Sequence, residues 1–136
     1  MSGPGPAPPS VEWFVDGTIE ESKLEGYLLS LTHPVGRHKL KLWRSTFGLH
    51  EGDGELLERL IREQLVQATS KERPSKVISN PRRIVREWEL VIPRFRGPNG
   101  NEGPVLTAWA FDPLNDRPHL STAYPIADTL HINVTL

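Results

Sequence analysis

A chain of 136 residues with 37% hydrophobic content has room for one core of ordinary size and too little length for two. It has no cysteine, which excludes disulfides and thiolate metal ligands, and no apolar window reaches the length of a membrane-spanning helix. The formal net charge of −1 hides a segregation of charge along the chain.

Glu12, Asp16, Glu20, Glu21 and Glu25 crowd the first thirty residues against a single Lys23. Between Thr32 and Phe47 stand Arg37, Lys39, Lys41 and Arg44 with no acid, and from Lys71 to Arg96 eight Lys/Arg face Glu72, Glu87 and Glu89. If the two basic stretches share a face, that face is positive despite the overall balance. The opening "MSGPGPAPPS" lacks the charged and apolar regions of a secretory signal, so a cytoplasmic location is expected.

Residues 1–10 are Pro/Gly-rich with almost nothing to bury and are expected to form a disordered tail ahead of one domain over 11–136. Trp13, Phe14 and Val15 make a short apolar group, either an edge strand or an anchor. Thr18 and Glu21 have capping-box spacing. With Leu24, Tyr27, Leu28 and Leu31 behind them, they predict a first helix over 18–31. Pro34 and Gly36 break it. Leu40, Trp43 and Phe47 then predict a second helix over 36–47, stopped by Gly48. Asp53 is placed to cap a third helix striped by Leu56, Leu57, Leu60, Ile61, Leu65 and Val66 and fading near Thr69.

The connector "SKERPSKVISNPRR" leaves room for a short strand at Lys76–Ser79, and beyond it the period changes to two. Trp88, Leu90 and Ile92 predict one face of a strand; Val105, Thr107, Trp109 and Phe111 predict a second, joined to the first through a hairpin at Asn99-Gly100. Leu120, Thr122 and Tyr124 predict a third, and "TLHINVTL" at the C-terminus a weak edge strand. The expected fold is α+β, with N-terminal helices packed on one face of a C-terminal antiparallel meander of three to four strands.

No phosphate-binding glycine loop, nucleophile elbow or zincin pair is present. His33 and His38 lie five apart across a Pro and a Gly, and a metal held by both would need a carboxylate from elsewhere, so no metal or cofactor is expected. The segment "THPVGRHKLKLW" is more informative. A chain break just before the second helix leaves first-turn amides facing outward as an anion site. Arg37, His38, Lys41 and Arg44 follow on one side, opposite Leu40, Trp43 and Phe47. The alternative is a solvated basic surface, which opposes the helix dipole by a few tenths of a kcal/mol per charge. His33 is either a helix-terminating polar residue or a catalyst. Thr107 and Thr122 on neighbouring strands bring hydroxyls together, for chemistry or simply as a cross-strand pair. Glu87 and Glu89 flank Trp88 on the opposite face, solvated or serving as a base. Arg94 and Arg96 are expected to snorkel, and Tyr124 to pack or hydrogen-bond.

Two stretches, "KLEGYLLSLTHPVGRHKLKLW" and "GPNGNEGPVLTAWAFDPLNDRPHLSTAYP", resemble an uncharacterised bacterial domain family found free-standing and as a C-terminal module of polymorphic toxins. The resemblance is carried by Lys23, Tyr27 to Leu29, His33, Pro34, Gly36, Lys39, Gly97 to Gly100, Thr107, Trp109 and Thr122 to Pro125. That family is similar in layout to the RNases that include barnase, EndoU, the colicin tRNases and RelE. The resemblance implies candidate active-site positions at His33, Lys39, Thr107 and Thr122, with RNA as substrate and an antitoxin or immunity protein as a partner.

The leading expectation is therefore a metal-independent, toxin-like RNA endonuclease in which the ribose 2′-OH attacks the phosphate. His33 or a sheet carboxylate would take the proton, Lys39 and Arg37 would steady the charge, and Tyr124 or a second imidazole would protonate the leaving oxygen. Arg37, His38, Lys41, Arg44 and Tyr124 would bind the substrate. The competing expectation is a non-catalytic module that binds nucleic acid or protein through the basic face of Thr32–Arg44.

Overall fold

The computed structural model describes residues 9–126. Helices come first: α1 (Val11–Val15), α2 (Glu21–Lys23, continuing as a π turn through Leu24–Leu28), α3 (Gly36–Phe47) and α4 (Gly54–Gln64, closing in a 3₁₀ turn at Leu65–Gln67). Four strands follow, β1 (Thr69–Ile78), β2 (Arg83–Arg96), β3 (Glu102–Phe111) and β4 (His119–Pro125). All neighbours pair antiparallel in the order β1-β2-β3-β4, so the α+β meander is the fold. The terminal strand expected in "TLHINVTL" lies outside the described residues.

The core lies between the helices and one face of this sheet. Phe14, Leu28, Leu40, Trp43, Phe47, Leu57, Ile61 and Leu65 pack on Trp88, Leu90, Ile92, Phe95, Val105, Trp109, Leu120 and Ala123. In β2, the core positions Ile92 and Phe95 are separated by a bulge that absorbs Pro93, a residue unable to donate to the ladder. The α3 boundaries match the sequence reading because their causes are local. Leu40, Trp43 and Phe47 point inward, and Gly48 ends the helix at φ 77°.

Other boundaries differ. The first helix spans α2 and its π turn rather than 18–31. Thr18 does not cap it, because its backbone bridges His119 of β4, and Leu31 is exposed. The Trp13 group forms the single helical turn α1, whose Phe14 meets Trp88 and Trp109 edge-on. Asp53 does not cap α4 with its side chain; the Glu25 carboxylate, reaching back from the π turn, accepts the N–H groups of Gly54 (2.6 Å) and Gly52 (3.0 Å). The short strand expected at Lys76–Ser79 is instead the full-length edge strand β1. Its nearly continuous exposure hides the alternation that marks a strand.

Candidate functional site

The junction between α2 and α3 is organised by its own side chains. Ser30 Oγ accepts the backbone N–H groups of Thr32 and His33 at 3.2 and 3.1 Å. His33 Nδ1 accepts those of Val35 and Gly36 at 3.1 and 3.0 Å. The next two amides, of Arg37 and His38, donate to the carbonyls of His33 and Val35. The expected anion site built from outward-facing first-turn amides is therefore not formed, since these N–H groups are consumed within the turn. With Nδ1 committed as an acceptor, the neutral imidazole carries its proton on Nε2. In this conformation His33 presents a donor and has no free lone pair with which to take a proton. Gly36 is required here, because a Cβ at that position would overlap the Tyr27 carbonyl.

Three other side chains of the junction gather around the Tyr27 ring. Lys23, one turn before it, places Nζ 5.2 Å from the ring centroid. The His33 ring meets it edge-on at 4.8 Å. Lys39, one turn into α3, lies 5.7 Å from Tyr27 and 4.7 Å from Tyr124 of β4. Contacts of this kind are worth roughly 0.5–1 kcal/mol where solvent reaches them. Helix α3 is fastened at the same edge by the Trp43 indole N–H, which donates to the Ala123 carbonyl at 3.3 Å. Lys23, Tyr27, His33, Lys39 and Tyr124 thus come together from three parts of the chain.

The two threonines do not meet. Thr107 is fully buried on the helix side, its hydroxyl donating to the Leu90 carbonyl and accepting from the Trp109 indole, each at 2.8 Å. Thr122 pairs with Ala108, while Leu120 pairs with Trp109, so Ser121 is an extra residue bulged out of β4. That bulge turns Thr122 and Tyr124 to the opposite face, which no helix covers among the described residues. The expected common face of Leu120, Thr122 and Tyr124 is corrected accordingly. Thr122 Oγ1 is buried without a hydrogen-bond partner among the described residues.

Charge pairing separates the two basic stretches. In the sheet, Arg73 pairs with Glu89, Lys76 with Glu87 and Arg86 with Glu72; Arg94 and Arg96 both pair with Glu102 rather than snorkelling free. Arg83 grips Asp112 through three hydrogen bonds. These bonds, together with the Leu114 backbone N–H, push the Asp112 carboxyl down to about 2, and Asp112 in turn raises Arg83. The hydrogen bond from Arg86 likewise lowers Glu72. Among the described residues, Lys23, Arg37, Lys39, Lys41 and Arg44 form no ion pair. Arg59, Lys71, Arg82 and Arg117 also stand outside these ion pairs, but singly along the chain, so the unpaired cations cluster on α3 and its approach. Arg37, His38, Lys41 and Arg44 are exposed along it, and Arg37 to Arg44 spans about 10 Å of helix.

Of the candidate residues, His33, Lys39 and Tyr124 converge, Arg37, His38, Lys41 and Arg44 line the adjoining helix face, Thr122 shares the open sheet face with Tyr124, and Thr107 belongs to the core. In the sequence, Lys23 and Tyr27 stand out only as parts of a motif and of a helix stripe. Their spacing of four residues on one helix face is the signal that marks them as neighbours. No group of three His, Asp or Glu side chains is arranged to hold a metal among the described residues, and no helix there is long and apolar enough to cross a membrane.

Fold and site together define a helix-then-meander α+β domain with one cationic, tyrosine-flanked edge. Residues 15–127 match the model of the domain-of-unknown-function family DUF6883, and the chain belongs to that family. No curated protein and no solved structure matches it.

Proposed function

We propose that this domain binds RNA, with backbone phosphate held at Lys39 and Lys23 and the neighbouring phosphates along Arg37, Lys41 and Arg44. The observation that carries this reading is the unpaired state of these cations, beside a sheet whose own cations nearly all have carboxylate partners. An ammonium poised between two tyrosine rings is directed and partly desolvated, which strengthens its pull on a phosphate oxygen. His33 adds an Nε2–H donor at the same junction. Single-stranded RNA suits such an edge better than a duplex, because its bases are free to leave the stack.

The test is fluorescence anisotropy of a labelled single-stranded RNA 12-mer over a salt series. For a single strand, log affinity falls with log salt at about 0.7 per phosphate neutralised, so the triple variant R37A/K41A/R44A should flatten the slope by roughly two units. Lys39→Ala should weaken binding with the fold intact. Affinity indifferent to salt and to both variants would refute the proposal and leave a protein partner, such as an antitoxin, as the alternative.

The convergence of Lys39 with two tyrosines and an imidazole favours a second reading, an endoribonuclease. Attack of the 2′-oxygen on phosphorus, its proton passing to solvent water, would form the O2′–P bond, break the P–O5′ bond and leave a 2′,3′-cyclic phosphate. Lys39 would neutralise the five-coordinate phosphate, and the Tyr124 hydroxyl would deliver a proton to the leaving oxygen. Binding ranks ahead of cleavage because His33 cannot accept the 2′-OH proton while it caps α3. The same RNA incubated with EDTA, with products analysed for a 2′,3′-cyclic end, separates the two readings.

A further inference from the structure

The open face of the sheet is hollowed between β1 and the bulged part of β4. A cavity of about 360 Å³ is lined by Arg73, Lys76, Glu87, Glu89, Ala108 and Ser121, among others. Its shape has identifiable causes. Ala108 is a small residue at the centre of the face, between Glu89 of β2 and Thr122 of β4. One rim follows the β1 bulge between Arg73 and Lys76, and the other follows the β4 bulge at Ser121. Bulges re-aim side chains at sheet edges and beside sites, and here two of them frame one depression.

The chemistry lining the hollow is specific. Glu87 is held by Lys76 at 3.3 Å, whereas Glu89 meets Arg73 only at 4.0 Å, so Glu89 keeps acceptor capacity to spare. A carboxylate offers two parallel acceptors and selects partners with two adjacent N–H donors. Ala108 supplies a flat apolar floor, and the Arg73 guanidinium is a plane on which a ring can lie. Along β4, Thr122 beside the floor and Tyr124 beside Lys39 share a face two residues apart, about 7 Å.

We propose that this cavity is a nucleobase subsite for guanine. Guanine's N1–H and 2-amino group would engage Glu89 while its phosphate lies at Lys39 and Tyr124. Uracil offers a single N–H on that edge, and adenine and cytosine each place an acceptor beside their donor, so none of them matches a carboxylate in this way. The subsite rests on the RNA reading and adds to it the base class that the surface selects.

The experiment is calorimetric titration of the full chain with guanosine 3′-monophosphate, uridine 3′-monophosphate and inorganic phosphate, repeated on Glu89→Gln, Ala108→Leu and Lys39→Ala. A bidentate base contact predicts tighter binding of the guanosine nucleotide by a factor on the order of ten. Glu89→Gln and Ala108→Leu should bring it down to the uridine level, whereas Lys39→Ala should weaken both nucleotides and preserve their ratio. Equal affinities in the wild type, or a preference that survives Glu89→Gln, would overturn the base subsite alone. Failure of both nucleotides and of phosphate to bind would remove the RNA reading as well. Should Ala108→Leu not fold, the solvent-facing Glu89→Gln still decides the matter.

Discussion

Thr107 gives the sharpest division between a structural and a functional hydroxyl. Thr107→Val keeps the shape and removes only the oxygen that joins the Leu90 carbonyl to the Trp109 indole, both at 2.8 Å. Trp109 is 1% exposed, so water cannot replace the lost acceptor for its N–H. A buried donor left unsatisfied costs about 1–3 kcal/mol, and a value near 2 is expected because valine adds no packing defect. For a domain of this size that corresponds to a fall in Tm of roughly 6–10 °C. Thr107→Ser retains both hydrogen bonds and loses one buried methyl, costing about 1 kcal/mol. Urea titration followed by tryptophan fluorescence measures both variants. RNA affinity, measured well below either midpoint, should equal that of the wild type. A valine variant as stable as the wild type would refute the hydrogen-bond account, and a folded serine variant that no longer binds RNA would return Thr107 to the site.

Local bonding sets two further outcomes. Replacing His33 with alanine strands the Val35 and Gly36 amides and should destabilise the fold by about 1 kcal/mol, while asparagine, which can accept N–H groups two and three residues ahead, should restore most of it; an asparagine variant as unstable as the alanine one in urea would reject the capping role. Asp112 is lower in the folded protein than the ordinary 3.8, so its partnership with Arg83 stabilises above the unfolded value and is lost as pH falls toward about 2. The wild type should therefore be more stable than Asp112→Asn at pH 6, and the gap in urea midpoint should close between pH 4 and 2; a gap unchanged down to pH 2 would contradict the ion pair.

What could be read from the sequence is what is decided locally. Helix α3 and the turn ending in Gly100, at φ 87°, carry their causes within a few residues. The cap of α4 was not legible, because its acceptor is Glu25, far back in the chain. Neither were the bulges. Ser121 bears no mark of being the extra residue, yet it alone decides that Thr122 and Tyr124 leave the face of Leu120. The candidate site was half visible for the same reason. His33, Lys39 and Tyr124 stand out by type and spacing, whereas separating Thr107 from Thr122 requires the strand register.

The two basic stretches, alike in composition, end differently because their secondary structures offer different partners. On β1 and β2 the antiparallel register sets carboxylates diagonally opposite cations, joining Arg73 to Glu89, Lys76 to Glu87 and Arg86 to Glu72. On α3 the equivalent neighbours lie three and four residues away, and no acid occurs between Thr32 and Phe47. Arg37, Lys41 and Arg44 repel one another at spacings of three and four residues, each pair at a cost of a few tenths of a kcal/mol, and Arg37 in the first turn also opposes the helix dipole, whereas Arg44 in the last turn complements it. A single acidic residue at one of the exposed positions would relieve that cost without touching the core. An unrelieved positive helix face leading directly to Lys39 and the two tyrosines is what a polyanion-binding edge requires, and packing of the fold does not demand it.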